Sequence, residues 1–416
     1  MAIKSFVTSL LTIRYRTSAN PVASEGSSFL LKYLDSAATT PVRPEVLEVM
    51  MPFFSQNFGN PSSIYPLADL SKSAIDAARK QIASVLNCRP REVVFTSGGT
   101  EADNAALKGA VANRERSQEA KSIIVSSIEH DAILRAAEAL GRSAADVQVT
   151  VVPVDKYGLV DPEVVADHVD KYTALVSVML VNNEVGTIQN IARISELVKV
   201  KSKSQGGSVL IHTDAVQAAG KLSLDVDKLG VDMLSLSAHK INGPKGVGAL
   251  YIRRHSGVDP FQDGGGQEGG MRSGTENVPG IAGFGKALEL AEAERLENWD
   301  RWTSMKSKIV ESLIERVDGI VFNGHPSQSI PSIVNFHVPG IEAEPVLVRL
   351  GMQGISASSG SACSTSSMEP SHVLTAMGLD SEDAIGAIRV SFGGVSDDGE
   401  VPVDSIVDSI NALRTK

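Results

Sequence analysis

The sequence predicts an α/β protein whose larger domain contains a mostly parallel, seven-stranded sheet and whose smaller domain is α+β. Between about residues 45 and 254, segments rich in β-branched residues alternate with segments of helical periodicity. That alternation is typical of a parallel sheet covered by helices on both faces. A chain of 416 residues also exceeds what one hydrophobic core usually supports, which favours two domains.

Seven segments are predicted to form the sheet, and helices fall between several of them. Helical patterns at Asp161–Tyr172 and Ile191–Lys203 connect predicted strands, and a longer helical stretch, Ile281–Val317, leads into the C-terminal region. We expect a large domain at 45–297, a small domain made of 29–44 and 298–416, and a separate segment at 1–28. The predicted strands are Glu92–Thr96, Ser122–Ser127, Val147–Val154, Leu175–Val181, Ser208–Thr213, Met233–Ser237 and Gly248–Arg253.

The first residues differ in composition from the rest of the chain. Residues 1–24 carry Lys4, Arg14 and Arg16 together with seven Ser or Thr, and no acidic residue precedes Glu25. Organelle transit peptides have this composition, so a mitochondrial location is expected. A disordered tail on a cytoplasmic protein is the alternative.

Charge and cysteine content argue against several classes of function. A net charge of −10 disfavours non-specific binding to nucleic acid, because a phosphate backbone selects basic surfaces. No apolar run approaches the ~18–20 residues needed to cross a bilayer. Cys88 and Cys363 are the two cysteines, and no Cys/His cluster has the spacing of metal ligands, so neither a disulfide framework nor a metal site is expected.

A glycine-rich turn is the first motif that suggests chemistry. Thr96-Ser97-Gly98-Gly99-Thr100-Glu101 follows a predicted strand and precedes a helix expected to start near Ala102. Glycines allow a sharp turn, and the N–H groups at a helix N-terminus attract anions. Thr100 could cap this helix and donate its hydroxyl to a phosphate. A plain strand-to-helix turn is the alternative interpretation.

Asp214 and Lys240 complete a recognisable set of groups. Asp214 ends a predicted strand, a position typical of a catalytic carboxylate or of a helix cap. Lys240 follows the strand that ends at Ser237, where a sheltered pocket would lower its pKa, as a lysine that binds an aldehyde covalently requires. A lysine for the aldehyde, a carboxylate for the pyridine nitrogen and a cradle for the phosphate together predict a site for pyridoxal 5′-phosphate (PLP).

A competing motif, Gly264, Gly266 and Gly269, fits the G-x-G-x-x-G pattern of dinucleotide-binding proteins. That motif must join a strand to a helix, whereas here it lies between Pro260 and the polar Met271–Thr275 segment. A nicotinamide-dependent dehydrogenase is therefore not favoured.

Cys363 lies in a run of small polar residues, Ser356–Ser367, which predicts a mobile loop. A nucleophile that must reach a cofactor and then pass its cargo to a partner would be placed on such a loop. Cys88 lies in a predicted turn with no base nearby, and we interpret it as structural.

From about Tyr33 to Gly393 the chain resembles the fold-type I, class V PLP enzymes, specifically the cysteine desulfurases of the NifS/IscS kind. The resemblance implies conversion of L-cysteine to L-alanine, with the sulfur transferred to an enzyme cysteine as a persulfide for iron–sulfur cluster or thio-cofactor synthesis. The extended segment after Cys363 is similar to that of the long-loop subgroup. The matching motifs are Leu34–Pro41, Ser97–Glu101, Glu129-His130, Val181–Glu184, Asp214 with Gln217, Ser237–Lys240, Arg272–Thr275 and Ser358–Cys363.

The resemblance implies a role for each matched residue. Lys240 would bind the cofactor and move the substrate Cα proton, and Cys363 would attack the substrate sulfur. His130 would stack on the pyridine ring and assist proton transfer as a further catalytic residue. Asp214 would keep the ring nitrogen protonated, and Gln217 would bond the phenolic oxygen. The remaining assignments are Gly99, Thr100, Ser237 and His239 for the cofactor phosphate, Thr275 for the same phosphate from the second subunit of a homodimer, Asn183 for cofactor and substrate, and Arg389 for the substrate carboxylate.

The sequence also departs from the family pattern. Gly269 stands where the family usually has Arg, and Asp263 where it often has His, so the dimer contact near the cofactor is expected to differ. The chain ends at Lys416 without the C-terminal extension that engages an iron–sulfur scaffold, which puts delivery to such a scaffold in doubt. Selenocysteine lyase, acting on L-selenocysteine, and a catalytically silent regulatory subunit are the alternative functions.

Overall fold

The computed structural model describes residues 32–115, 121–143, 147–360, 369–393 and 399–414. Two short strands pair in parallel near the start and end of this region, β1 (Lys32–Tyr33) with β11 (Ile355–Ser356). Three further strands form an antiparallel sheet in the order β12, β10, β9, where β9 is Val321–Asn323, β10 is Ile333–His337 and β12 is Ile388–Ser391.

The seven predicted strands are all present and form one sheet within the described residues, which confirms the predicted fold class. Its order is β2-β8-β7-β6-β5-β3-β4. Strand β8 runs antiparallel to both of its neighbours, and the other pairs are parallel. The strands are β2 (Val93–Thr96), β3 (Lys121–Ser126), β4 (Val147–Val152), β5 (Thr173–Ser177), β6 (Leu210–Asp214), β7 (Met233–Ser237) and β8 (Gly248–Ile252).

Helices connect these strands and continue through the C-terminal region. Short 3₁₀ turns lie at Pro90–Glu92, Ala238–Lys240 and Glu268–Gly270. No helix among the described residues is both long and apolar enough to span a membrane. The α-helices are α1 (Pro44–Met50), α2 (Pro52–Ser55), α3 (Pro66–Leu86), α4 (Gly99–Glu115), α5 (Asp131–Ser143), α6 (Pro162–Asp167), α7 (Ile191–Ser204), α8 (Val226–Leu229), α9 (Val278–Ala293), α10 (Arg295–Arg316), α11 (Ala343–Met352), α12 (His372–Ala376), α13 (Ser381–Ile385) and α14 (Val403–Arg414).

The helix boundaries correct the sequence-based prediction in two places. The stretch expected to be helical from Ile281 to Val317 is two helices, because α9 ends at Ala293 and α10 begins at Arg295. Helix α6 ends at Asp167, although the hydrophobic pattern continued to Tyr172. Asp170 explains that end, because its Oδ1 accepts the backbone N–H of Tyr172 at 2.9 Å and so holds a turn.

Both faces of the central sheet are buried, as the near-continuous apolar strands predict. Along β3, Ile124 packs into one hydrophobic cluster, while its neighbours Ile123 and Val125 pack into another on the opposite face. A third cluster joins α10, α11 and α14 to β10 and β12, with Phe336 fully buried. The division into a large and a small domain with the expected boundaries stays a prediction.

Candidate functional site

The candidate active site lies at one edge of the central sheet, where several strands end together. Asp214 is the last residue of β6 and Ser237 is the last residue of β7, which runs parallel to it. Thr96 ends β2 beside Gly248, the first residue of the antiparallel strand β8. Ligands of open α/β sheets bind at this edge, so the topology gathers these segments around one site.

A cavity of about 750 Å³ opens there, and it brings together nearly all of the predicted site residues. Each element contributes through the residues that follow its strand, as expected for loops carried on a rigid sheet. The predicted residues that line the cavity are Gly99, Thr100, His130, Asn183, Asp214, Gln217, Ser237, His239, Lys240 and Arg389.

The start of helix α4 packs directly against the segment after Asp214. A Cβ atom built on Gly99 would lie 2.9 Å from Cγ2 of Val216 and 3.6 Å from Cβ of Ser237. Only glycine therefore fits at this position without a shift of its neighbours. The close approach brings the first N–H groups of α4, which have no acceptor within the helix, to the cavity.

The structure does not confirm the prediction that Thr100 caps the N-terminus of helix α4. Helix α4 begins at Gly99, so Thr100 lies inside its first turn and does not precede it. The carboxylate of Glu101 instead accepts the backbone N–H of Ser97 at 2.9 Å. Arg272 donates to the same carboxylate at 2.8 Å, and these contacts hold the pKa of Glu101 below its ordinary value despite partial burial. Thr100 is exposed, so its hydroxyl is available to a ligand.

Lys240 lies in the 3₁₀ turn after β7 and contacts the segment that follows β1. Its Nζ donates to the carbonyl oxygens of Ala37 and Ala38, both at 2.7 Å. The amide of Gln217 donates to the same Ala37 carbonyl at 2.9 Å. The Leu34–Pro41 motif therefore supplies backbone acceptors to two of the predicted site residues.

Asp214 faces the cavity as a buried carboxyl. Burial raises its pKa, whereas a hydrogen bond from the N–H of Val216 at 2.8 Å and the nearby His130 and Lys240 lower it. His130 accepts the N–H of Ala132 on Nδ1 at 3.0 Å, so its neutral form carries the ring proton on Nε2.

Two more acids lie beside Asp214, and sequence reasoning gave neither a role. Asp103 lines the cavity from α4 and is 1% exposed; burial and the charge of Asp214 raise the pKa of its carboxyl well above the ordinary value. Glu129 is fully buried, which raises its pKa to about 8. Its Oε1 accepts hydrogen bonds from Ser126 at 2.5 Å and from the N–H of Met179 at 2.8 Å.

Besides His130, the histidines His212 and His239 lie near these groups, and burial favours the neutral form of both. Desolvation lowers the pKa of His212 to about 3, and its ring bonds Ser177 at 2.8 Å and Ser235 at 2.9 Å. His239 has its pKa lowered to about 4 by burial and by the charges of Lys240 and Lys245. A neutral His239 can still donate one N–H to an anion.

Arg389 is the largest fully buried polar side chain of the site. Its Nη1 donates to the carbonyl oxygens of Asn183 and Gly360, both at 3.0 Å, and its Nη2 bonds Asp35 at 2.8 Å. Its Nε is buried without a hydrogen-bond partner among the described residues. Arg389 also lines the cavity, and a guanidinium in such a place is suited to binding a carboxylate.

Among the described residues, Thr275 and Cys88 are separate from this cavity. Thr275 is exposed and does not line the cavity, and Cys363 lies outside the described residues. Cys88 is half-buried beyond the left-handed Asn87 at the end of α3, and burial together with Glu92 raises the pKa of its thiol to about 12. Its thiolate is therefore scarce near neutral pH, which agrees with the interpretation that it is structural.

Comparison with known proteins gives consistent results over most of the chain. The model of the aminotransferase class-V family matches residues 32–402. A cysteine desulfurase IscS of Methanosarcina thermophila is 46% identical over 385 residues, which cover 92% of each chain. The solved structure of a NifS-like protein is 37% identical, with a TM-score of 0.84 over 93% of this chain and all of that one. A structure of SspA in complex with cysteine is 35% identical, with a TM-score of 0.75 over 87% of this chain and 98% of that one.

Proposed function

Because this chain belongs to the class-V aminotransferase family, we propose that it is a PLP-dependent cysteine desulfurase. The net reaction takes L-cysteine and one enzyme thiol to L-alanine and an enzyme persulfide, so that atoms and electrons balance without an external oxidant. The main support for the proposal is that four side chains line the same cavity: Lys240, Asp214, His130 and Arg389.

The residues of the cavity fit PLP in three ways. First, a phosphate could be bound by hydrogen-bond donors near Gly99, where α4 packs closely against Val216 and Ser237. These donors are the N–H groups at the start of α4, the hydroxyls of Thr100 and Ser237, and neutral His239. Second, a cationic ring nitrogen would offset the effect of burial on Asp214, which disfavours the charged carboxylate. The side-chain amide of Gln217 could donate a hydrogen bond to the phenolic oxygen. Lys240 supplies the amine for the aldehyde. When bound, PLP supplies an electron-withdrawing ring that stabilises negative charge on the substrate Cα.

The side chains around this group have separable tasks. Arg389 and Asn183 would bind the substrate carboxylate and orient the Cα–H bond, since both residues line the cavity. Lys240 would take the Cα proton at Nζ and return it during formation of alanine, with His130 moving a proton through Nε2. Asp214 would hold a proton on the ring nitrogen opposite its carboxylate.

The sulfur acceptor within the enzyme is proposed to be Cys363. Its thiolate would attack the sulfur of the bound substrate, forming an S–S bond as the substrate C–S bond breaks. Cys88 is disfavoured because burial raises the pKa of its thiol and because it does not line the cavity.

The matched variants Cys363→Ser and Cys88→Ser test this assignment. Cys363→Ser should bind PLP and show the same absorbance change on addition of L-cysteine, but it should form no persulfide and release alanine more than about 100-fold more slowly. Cys88→Ser should match the parent protein in all three measurements. The opposite pattern would make Cys88 the sulfur carrier, and full activity of both variants would favour elimination without an enzyme thiol, as in a selenocysteine lyase.

We further propose that the enzyme is a homodimer in which Thr275 contacts the cofactor phosphate of the second subunit. Thr275 is exposed in the single chain, as such a contact requires. A sulfur-acceptor protein, such as an iron–sulfur scaffold, is proposed to take the persulfide sulfur, as the resemblance to the NifS/IscS enzymes implies. The composition of residues 1–24 supports a mitochondrial location, with a cytoplasmic one as the alternative.

A further inference from the structure

A second cavity, of about 310 Å³, adjoins the candidate active site and shares three residues with it. Ala37, Gln217 and Lys240 line both cavities, whereas Lys221 lines only the second. The volume is at the lower end of the range found for small-molecule sites. Glu297 lines this cavity and is exposed, so the cavity reaches the surface and a small ligand can enter it from solvent.

Lys221 is the unusual residue of the second cavity, because it is a lysine with only 7% of its surface exposed. Among the described residues, its Nζ donates to the carbonyl oxygen of Gln217 at 2.9 Å, and no carboxylate of those residues forms an ion pair with it. The nearby charge that acts on its pKa is that of another cation, Lys240. A buried ammonium without a counter-ion is costly, so an anion beside it would stabilise the charged form.

The charge around this cavity is positive overall within the described part of the chain. Arg43 lines it too, but this guanidinium already pairs with Glu45 at 3.1 Å and with Glu294 at 2.7 Å. A lining with an excess of cations attracts small anions. The cationic residues that line the cavity are Arg43, Lys221, Lys240 and Arg301, and the acidic ones are Glu294 and Glu297.

Much of the remaining wall is apolar and comes from both sides of the cavity. One side is the segment after β6 and the 3₁₀ turn after β7, and the other is α9, α10 and the strands β10 and β12 with their flanking residues. Apolar walls around a few polar groups are typical of sites for organic ligands, whereas a strongly hydrated inorganic anion gains nothing from them. The larger set of apolar residues includes Ala219, Ile241, Ala287, Trp302, Ile333 and Phe392.

We propose that the second cavity binds a small organic carboxylate, whose negative charge is compensated by Lys221 and whose apolar part packs against Ile241, Ala287 and Phe392. This inference goes beyond the proposed function, because it requires no chemistry at the active site. A carboxylate bound there would lie next to Lys240 and Gln217, two of the residues that are proposed to bind PLP.

Butyrate is a suitable probe, with butyramide as its uncharged analogue. Calorimetric titration of the PLP-loaded parent protein should show one butyrate site per chain and no binding of butyramide at the same concentrations. Inorganic phosphate should bind more weakly than butyrate, because it gains nothing from the apolar walls.

The matched variants Lys221→Met and Lys306→Met test the location of the site. Lys306 is also a buried lysine, but its Nζ bonds the hydroxyl of Ser329 at 3.0 Å and it does not line the cavity. Lys221→Met should weaken butyrate binding by about 10-fold or more, because it removes a charge-assisted contact, and Lys306→Met should leave it unchanged. Uptake of PLP by each variant would show that it folds.

Proton uptake gives a test that needs no variant. Burial lowers the pKa of Lys221 to about 7, and the charge of Lys240 adds to this effect. A bound carboxylate raises that pKa again, so binding should take up about 0.9 proton per butyrate at pH 8 and about 0.1 at pH 6, which titrations in buffers of different ionisation enthalpy measure. Uptake that persists in Lys221→Met would belong to the other charged side chains of the cavity, which are Arg43, Lys240, Glu294, Glu297 and Arg301.

The possible results separate this inference from the proposed function. If PLP does not bind, the proposed function fails, and the same titrations of the protein alone still test the second cavity. Absence of butyrate binding, full binding by Lys221→Met, or binding at pH 8 without proton uptake would each show that the inference is wrong. Tighter binding of phosphate than of butyrate would overturn the assignment to an organic carboxylate.

Discussion

Burial raises the pKa of Asp214, although its proposed task requires a carboxylate. Desolvation is the larger effect in the cofactor-free protein, and His130 and Lys240 oppose it. A protonated ring nitrogen beside the carboxyl would shift the balance, because an opposite charge within a few ångströms favours the ionised form. In the proposed function, PLP would thus complete the site electrostatically, and its cationic nitrogen and the carboxylate would stabilise each other.

The variant Asp214→Asn tests this reciprocity. The amide cannot stabilise a protonated ring nitrogen, so alanine formation should fall by roughly 100-fold or more. The contacts available to the phosphate at Gly99, Ser237 and His239 are unchanged, so PLP should remain bound, with an altered absorbance maximum. Near-normal turnover in this variant would mean that another group performs the task.

Individual residues were predictable where their chemistry is unusual for their position. Lys240 and Asp214 stand out because each is a charged residue at or just after the end of a buried strand. A buried charge is costly unless a partner or a ligand compensates it. Glu184 and Asp103 did not stand out, because an acidic residue in a turn or on a helix is ordinary until its burial is known. The exposure of 3% and 1% is decided by tertiary packing, which a single sequence does not display.

Among the secondary-structure elements, the strands could be predicted from the sequence, whereas the ends of the helices were harder to predict. The seven strands are short β-branched runs, buried on both faces except in the partly exposed edge strand β4, and their limits differ from prediction by a few residues at most. The break between α9 and α10 lies at Glu294, where no proline or glycine marks it. Arg43 bonds both carboxylate oxygens of Glu294, at 2.7 and 2.8 Å, so a distant segment holds the junction.

Glu129 joins elements in a way that predicts a dependence of stability on pH. It links the end of β3 to the segment after β5 through Ser126 and Met179, and its Oε2 is buried with no hydrogen-bond partner in the described part of the chain. Its pKa is about 8 in the folded protein, against an ordinary value near 4.5. The folded state therefore holds this proton more tightly, and the stability it contributes is complete below about pH 4.5 and is lost as pH rises through 8.

The variant Glu129→Gln isolates this contribution. Its amide oxygen can accept the same two hydrogen bonds, and it has no proton to lose. The free energy of unfolding of the parent protein should fall relative to that of Glu129→Gln by up to about 1.4 kcal/mol per pH unit between pH 5 and 8. Denaturant titrations of the two cofactor-free proteins at several pH values would measure this, and parallel pH profiles would contradict it.

At the level of the whole molecule, the predicted homodimer has a candidate surface. Large apolar side chains are exposed from α1 to the start of α3: Met51, between α1 and α2, is 59% exposed, and in the segment between α2 and α3 Phe58 is 67% exposed and Ile64 is fully exposed. Single exposed apolar residues are common in monomers, but a group of them usually marks an interface. The sequence did not predict this surface, because the same residues would also suit a buried helix face.

The double variant Phe58→Glu with Ile64→Glu tests whether this surface joins two copies of the chain. Charges placed in an apolar interface lose hydration without gaining a partner, so the double variant should sediment as a monomer where the parent protein sediments as a dimer. The control Val200→Glu places a charge at an apolar residue that is 66% exposed on α7, and it should leave the dimer intact.

The same double variant tests the role of Thr275. If Thr275 of one subunit contacts the cofactor phosphate of the other, the monomeric variant should also bind PLP more weakly, in proportion to the fraction of monomer. A double variant that remains dimeric would place the interface elsewhere. A monomer that binds PLP as tightly as the parent would exclude the role of Thr275 across the interface.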